Sequence, residues 1–161
     1  MPPVEIVEAD LSLTEHQHAV VELIDAYAID PMGNGKPLSA EARRNLIPGL
    51  QKHPTTLLFL AYQEGKAMGI AVCFLGFSTF TARPLINIHD LAVLPAYRGH
   101  GAGRRLLQEI ERKARDLGCC KLTLEVQENN HRARKVYAAA GFAQAVYKEA
   151  AGGSLFLAKM L

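Results

Sequence analysis

The chain reads as an α+β fold: a mixed, mostly antiparallel sheet flanked by helices. The predicted order is β-α-α-β-β-β-α-β-α-β-β over a single domain, residues 1–161. Three observations predict it. Apolar runs of strand character come in adjacent pairs around tight turns, at Glu64-Gly65 and at Ala151-Gly152-Gly153, so hairpins dominate. One strand–helix–strand unit, residues 85–126, lies between them and supplies a single parallel crossover. The remaining long segments carry apolar residues at helical spacing. A chain of 161 residues buries roughly 70% of its unfolded surface, so it needs no disulfide or metal staple.

Residues 4–8 alternate and read as the first strand. Ser12 and Thr14, with Glu15 and Gln17 three residues on, offer two overlapping capping boxes. The helix they open carries Val20, Leu23, Ile24 and Tyr27 on one face. Asp30-Pro31-Met32-Gly33-Asn34-Gly35-Lys36-Pro37 is a loop by composition. Ser39 caps a second, shorter helix through Leu46, which ends near Pro48-Gly49. Residues 57–62 and 67–77 form the hairpin about Glu64-Gly65, and residues 85–93 the next strand. The helix from Gly103 buries Leu106, Leu107, Ile110, Ala114 and Leu117, and Gly118 ends it. Residues 122–126 are a strand. The helix from Asn130 ends at Gly141, and residues 143–149 and 155–160 make a last hairpin.

Composition excludes several classes. A net charge of +2 argues against nucleic acid as an obligate partner. The charge is uneven: Arg98, Arg104, Arg105, Arg112, Lys113 and Arg115 face only Glu109 and Glu111 over one stretch, and Arg132, Arg134 and Lys135 follow. These are either solvated helix faces or a basic rim that draws in a polyanion. Cys73, Cys119 and Cys120 are odd in number and have no metal-like spacing with His, so they read as buried small hydrophobes in a reducing compartment. The first five residues have no basic start and no apolar run follows, so no signal peptide is expected; no segment is apolar enough to span a membrane. The expected location is the cytoplasm.

The most informative stretch is residues 91–107, where an apolar strand runs into a glycine-rich turn that opens an amphipathic helix. Gly99, Gly101 and Gly103 leave few side chains between a ligand and the backbone. The N–H groups at the helix start and the helix dipole then favour a phosphate. A P-loop requires Lys and Ser or Thr after its last glycine, and here Arg104 and Arg105 follow. A dinucleotide fingerprint requires G-x-G-x-x-G directly after a strand. Gly99-His100-Gly101-Ala102-Gly103 is one residue short, and Pro95-Ala96-Tyr97-Arg98 intervenes, although Glu125 sits where a ribose-binding acid would. The pattern Arg/Gln-x-x-Gly-x-Gly/Ala is met in full by Arg98, Gly101 and Gly103.

A second pattern follows in register. Asn130, Ala133, Val136, Tyr137, Gly141 and Phe142 fit Asn-x-x-Ala-x-x-(apolar)-Tyr-x-x-x-Gly-Phe. Together the two segments resemble the GNAT superfamily of N-acetyltransferases, over residues 91–142, about a third of the chain. The resemblance implies the GNAT acyl-CoA N-acyltransferase fold, whose element order agrees with the one above. It implies acetyl-CoA as co-substrate, with the pyrophosphate held by Arg98, Gly99, His100, Gly101, Ala102, Gly103 and Arg104. It also implies that the preceding strand is splayed from the next by a bulge, and that backbone groups of Leu91, Ala92 and Val93 pair with the pantetheine arm. The N–H of Leu91 would then donate to the thioester oxygen. Asn130 either binds the cofactor or caps its helix.

The implied activity is direct acetyl transfer to a primary amine of a small molecule, without an acyl-enzyme; homodimers are common among such proteins. Cys119 and Cys120 lie at the far end of the helix from the phosphate turn, which fits a direct transfer. A catalytically silent CoA-binding sensor or interaction module, a protein N-terminal or lysine acetyltransferase, and a nicotinamide oxidoreductase are the alternatives. Tyr137 shares a helical stripe with Ala133, Val136 and Ala140, and the resemblance makes it the general acid rather than a core residue. His89, Asp90 and Glu125 are candidate bases; His89 is preferred, at the position where polyamine acetyltransferases of the superfamily carry glutamate. Asp90 is alternatively a structural partner for it. His16, His18, His53 and His131 show no metal geometry, and no metal is expected. Asp25, Asp30 and Glu41 lie in the stretch that reads the acceptor in such proteins, as attractors of a cationic amine or as solvated acids.

Overall fold

A computed structural model describes residues 2–161. The fold groups into two units, one ending at Gln127 and one spanning Glu128–Leu161. The first contains β1 (Glu5–Glu8), α1 (Thr14–Ile29), α2 (Ala40–Lys52), β2 (Thr56–Gln63), β3 (Lys66–Ser78), β4 (Arg83–Val93), a 3₁₀ turn (Pro95–Tyr97), α3 (Ala102–Asp116) and β5 (Leu122–Leu124). The sheet order is β1-β2-β3-β4-β5. The first four strands are antiparallel neighbours, and β5 pairs parallel to β4. The parallel pair β4–β5 is joined through α3, because parallel neighbours need a crossover connection.

Alternation along the strands fills two faces. Leu58, Leu60, Ile70 and Val72 pack with Val20 and Leu23 of α1, and Leu46, Ile47 and Leu50 of α2 close over them. Phe59, Ala71, Cys73 and Ile86 point the other way, toward the α3 side, where Leu106, Leu107 and Ile110 are buried. Each such fully buried aliphatic side chain stabilises the fold by about 1.5–3 kcal/mol. The β2–β3 turn is a two-residue connection with Glu64 and Gly65 both at positive φ, 50° and 73°, the geometry that matches strand twist.

Several local expectations are corrected. Neither capping box at the start of α1 forms. Ser12 donates both its N–H (2.9 Å) and its Oγ (2.7 Å) to Asp10 Oδ1, so its hydroxyl is engaged in a turn, and Leu13 stands at the uncapped N-terminus. The cap at Ser39 does form, with Oγ accepting from Ala42 N at 3.0 Å. But α2 does not stop at Pro48: it runs through to Lys52, because packing of Leu50 on the core offsets the one helical hydrogen bond proline removes. Leu117 is exposed rather than buried; it is the C-cap residue, outside the last turn of α3. Strand β5 ends at Leu124, two residues short of the expected end. Cys73 is buried, whereas Cys119 and Cys120 are only half-buried.

In the second unit α4 spans His131–Ala139. Asn130 caps it, with its side-chain oxygen accepting from Ala133 N at 3.2 Å, and Gly141 turns the chain at φ +93°. The expected last hairpin is absent: residues 143–149 and 155–160 form no strands. Among the described residues one backbone bond, Ser154 N–H to the Ala145 carbonyl at 3.2 Å, links the two segments. Val146, Tyr147, Leu155, Phe156 and Leu157 are exposed. Two segments with no buried face do not sustain a ladder on their own.

Candidate active site

The site is built on an irregularity of β4. Pairing with β3 runs Cys73↔Ile88 and then Val72↔Asp90, so His89 is one residue with no opposite number on β3. Such a bulge bends the strand and re-aims a side chain. The parallel ladder with β5 stops at the same place, its last pair being Ile88↔Leu124. Beyond it β4 continues to Val93, and among the described residues no strand pairs with it on that edge. Leu94 N–H bonds to the Met68 carbonyl on the β3 side at 2.9 Å. Strand alternation then turns the N–H groups of Leu91 and Val93 to the open edge and that of Ala92 toward β3.

The chain next makes its 3₁₀ turn and enters the glycine segment. Gly99 (φ +80°) and Gly101 (φ +85°) hold left-handed conformations that L side chains rarely adopt. Gly101 is the N-cap residue of α3 and offers no capping side chain. The first helical bond is Arg105 N–H to the Gly101 carbonyl at 3.0 Å. The N–H groups of Ala102, Gly103 and Arg104 are therefore left over by the helical ladder, at its positive end. A Cβ added at Gly99 or Gly101 would meet nothing within 4 Å, so the space beside these two glycines is open. An open edge of backbone donors leading into an uncapped helix start fits a ligand with an extended amide arm and a pyrophosphate, as acetyl-CoA has.

The charges sort themselves unevenly. Arg112 pairs with Glu109 and Asp116, Arg115 with Glu111, and Lys113 with Glu8. Among the described residues Arg104 and Arg105 are in no ion pair, and both are exposed on the first turn of α3. The free cations of this stretch thus sit at its anion-binding end.

Beside the bulge lies a cluster of titratable groups. His89 is exposed, with its ring edge-on to half-buried Phe74, and Phe74 in turn meets His53 at 4.8 Å. Burial pushes the Asp90 carboxyl up from the usual carboxylate range, and the neighbouring His89 opposes that shift. Tyr27 is raised first by burial and then by Asp90 and Asp30. The Cys73 thiol is pushed up to about 12, by burial and then by Asp90, so it is no nucleophile. Glu125 lies exposed just past β5. Tyr27, Leu23 and Ala26 of α1 face Ala92, Val93 and Leu94 across a small cleft that Arg98 closes.

In the second unit, Tyr137 is the buried residue of α4, its ring 6.0 Å from that of Phe142. Asn130 is engaged as the cap of the same helix. Of the stripe expected around Tyr137, Ala133 and Val136 are half-buried and Ala140 is exposed.

A model of the acetyltransferase (GNAT) family matches residues 20–142. The chain belongs to this family. It is similar to an N-alpha-acetyltransferase MAK3 of Arabidopsis thaliana, 35% identical over 89 residues, covering 55% of this chain and 46% of that protein. It is also similar to a thialysine N-epsilon-acetyltransferase of Bos taurus, 35% identical over 74 residues, covering 46% and 43%. The chain thus spans about half the length of these curated relatives. Its fold is that of a possible acetyltransferase from Clostridium difficile 630, with a TM-score of 0.78, 16% identity and 98% of each chain covered.

The bulge and the splay that GNAT resemblance implied are both present in β4, and both fall at His89. Two of the acids that read as attractors of a cationic amine or as solvated acids are engaged within the fold. Asp25 accepts from Leu38 N at 2.8 Å and pairs with Arg43, and Asp30 pairs with Arg98. Sequence reasoning missed Phe74 and Tyr27 beside this candidate site, and Gln127 as a donor to the Met32 carbonyl of the α1–α2 loop. Phe74 and Tyr27 carried no signal beyond apolar periodicity, and Gln127 none at all. Among the described residues no group of three or more His, Cys, Asp or Glu is placed to hold a metal ion. Nor is any helix long and apolar enough to cross a membrane.

Proposed function

We propose that this GNAT protein is an acetyl-CoA-dependent N-acetyltransferase acting by direct transfer on a primary amine of a small molecule, as a single cytoplasmic domain of residues 1–161. The observation that carries the reading is the continuous run along β4: an unopposed His89, open-edge N–H groups at Leu91 and Val93, then the uncapped start of α3. When bound, acetyl-CoA supplies a thioester as the acetyl donor. Leu91, Ala92 and Val93 hold the arm, and Gly99, His100, Gly101, Ala102, Gly103 and Arg104 hold the pyrophosphate. Arg98 and Asn130 support it by fixing backbone, since both side chains are engaged within the fold. The Leu91 N–H is the donor to the oxygen on which charge develops.

His89 accepts the proton that a substrate ammonium must lose before it attacks. An exposed imidazole with Phe74 at one edge meets that need without a metal. Tyr137 supplies the proton for the departing thiolate: it is the buried residue of α4 and carries a phenol, with GNAT resemblance as the warrant.

Likeness to the thialysine enzyme supports an amine on a small molecule. Likeness to the N-alpha-acetyltransferase supports a second reading, a protein N-terminus as acceptor. Incubating the chain with acetyl-CoA and a mixture of polyamines, amino acids, aminoglycosides and N-terminal peptides, with products weighed by mass spectrometry, separates them. Acetylated small amines are the expected product. Acetylated peptides alone would move the assignment to the second reading. Acetyl-CoA binding with no product would leave a CoA-binding module. Assembly as a homodimer belongs to the same proposal and is read by sedimentation.

A further inference from the structure

Arg98 leads the phosphate-turn motif, yet its guanidinium is turned inward. Its Nε donates to the Val93 carbonyl at 2.8 Å, and its Nη2 donates to Asp30 Oδ2. Only 24% of the Arg98 side chain and 10% of the Asp30 side chain are exposed. Asp30 is the C-cap residue of α1. Its Oδ1 accepts from Met32 N at 2.9 Å, and its carbonyl accepts from Gly33 N at 2.8 Å and Gly35 N at 3.3 Å. One residue therefore holds both the turn ahead of α3 and the first half of the α1–α2 loop.

The same loop has a second anchor. Gln127 Nε2 donates to the Met32 carbonyl at 3.0 Å, and Gln127 lies just past the end of β5. Strands β4 and β5 part after Ile88 and Leu124. The loop is thus tied to the chain beyond β4 at Arg98 and to the chain beyond β5 at Gln127. An exposed ion pair would contribute little to such an arrangement. This one is mostly withdrawn from water, and removing either partner leaves a buried charge uncompensated.

We propose that Asp30 is a positioning residue: through Arg98 it sets the turn from Arg98 to Gly101, and through Met32 it couples the α1–α2 loop to that turn. Order in the loop and affinity at the turn then rise and fall together. The proposal rests on reading that turn as the pyrophosphate site of acetyl-CoA.

Acetyl-CoA calorimetry and amide hydrogen exchange on the whole chain test it, with Asp30→Asn, Arg98→Lys and the double variant. Asn keeps the shape of Asp30 without its charge. Lys keeps the charge of Arg98 but cannot donate from two nitrogens at once. Each single change is expected to weaken acetyl-CoA binding about tenfold, and the double variant no further, because the pair acts as one unit. Exchange at Met32, Gly33 and Gly35 is expected to quicken in each. If Asp30→Asn does not fold, Gln127→Ala carries the test, with faster loop exchange and weaker acetyl-CoA binding expected. Undiminished affinity in the folded Asp30→Asn variant (or, failing that, in Gln127→Ala), or additive losses in the double variant, overturns the coupling while the cofactor reading stands. A wild-type chain that binds no acetyl-CoA overturns both.

Discussion

The His89 ring stands edge-on to Phe74, with centroids 5.5 Å apart and planes at 64°, at the one position where β4 has a residue that β3 does not oppose. The bulge is what frees this side chain from the ladder, and Phe74 supports it from one edge. The imidazole is left exposed beside the unpaired stretch of β4. A base that must meet an incoming amine needs this combination of fixed ring and open access.

If His89 takes the amine proton, His89→Gln should slow the reaction by roughly 10²-fold while leaving acetyl-CoA affinity unaltered. His53 flanks the same Phe74, so His53→Gln is the control and should keep the wild-type rate. An unaltered rate in His89→Gln would pass the role to Asp90, Glu125 or water.

Gly101 is expected to be needed twice, for backbone conformation and for ligand approach. At φ +85°, an alanine strains the backbone by about 1–2 kcal/mol. Its methyl group would also occupy space that is open beside the turn. Gly118, at φ +71° and equally open, carries the same strain at the other end of α3. Gly101→Ala should lose stability and at least about tenfold in acetyl-CoA affinity, and Gly118→Ala should lose stability alone. Equal affinity in the two variants, by calorimetry, would remove the turn from the binding site.

Salt should weaken acetyl-CoA binding through Arg104 and Arg105, the cations of this stretch that no acid pairs among the described residues. Replacing both by Gln should flatten the salt dependence. Replacing Arg112 and Arg115, already paired with Glu109, Asp116 and Glu111, should leave it nearly unchanged. Calorimetry from low to physiological ionic strength gives both slopes, and equal slopes would count against a local anion site.

Tyr137→Phe keeps the ring and its contact with Phe142. The expected result is an intact fold, unaltered acetyl-CoA affinity and a kcat lower by roughly 10²-fold. A Phe variant as fast as wild type, under conditions where chemistry limits turnover, would make Tyr137 a packing residue.

The parts of the site that are legible in the sequence are those whose physics is local. Gly99 and Gly101 announce positive φ, Ser39 and Asn130 announce helix starts, and two apolar runs about the Glu64-Gly65 turn announce a hairpin. The pairing of Arg98 with Asp30 is not legible, because its partners lie 68 residues apart and neither residue type fixes its mate. The bulge at His89 depends on register, which a single strand does not encode. Residues 143–160 mislead for the converse reason: they have the composition of two strands, but a strand exists only where another pairs with it. Pro48 misleads because packing of Leu50 outweighs a local breaker.

Asp90 should make stability depend on pH in a direction opposite to that of an ion-paired acid. Burial holds its carboxyl above the usual carboxylate range, and His89 only partly offsets this. The folded chain therefore binds this proton more tightly than the unfolded chain does. Below the unfolded value, about 3.9, the group is protonated in both states and burying it carries no electrostatic cost. As pH rises toward and past the raised folded value, the charge must be accommodated in the folded state, and that stability is lost. Asparagine never ionises. Asp90→Asn should thus be more stable than wild type at neutral pH, with the difference shrinking as pH falls below the unfolded value. The Cys73 thiol, raised to about 12 by burial first and Asp90 second, should titrate somewhat lower in the variant. Urea melts at neutral pH and below the unfolded value give the first comparison and the ultraviolet absorbance of the thiolate gives the second. An Asp90→Asn variant less stable than wild type at neutral pH would mean that the carboxylate is held ionised by its neighbours, and the direction assigned here would be wrong.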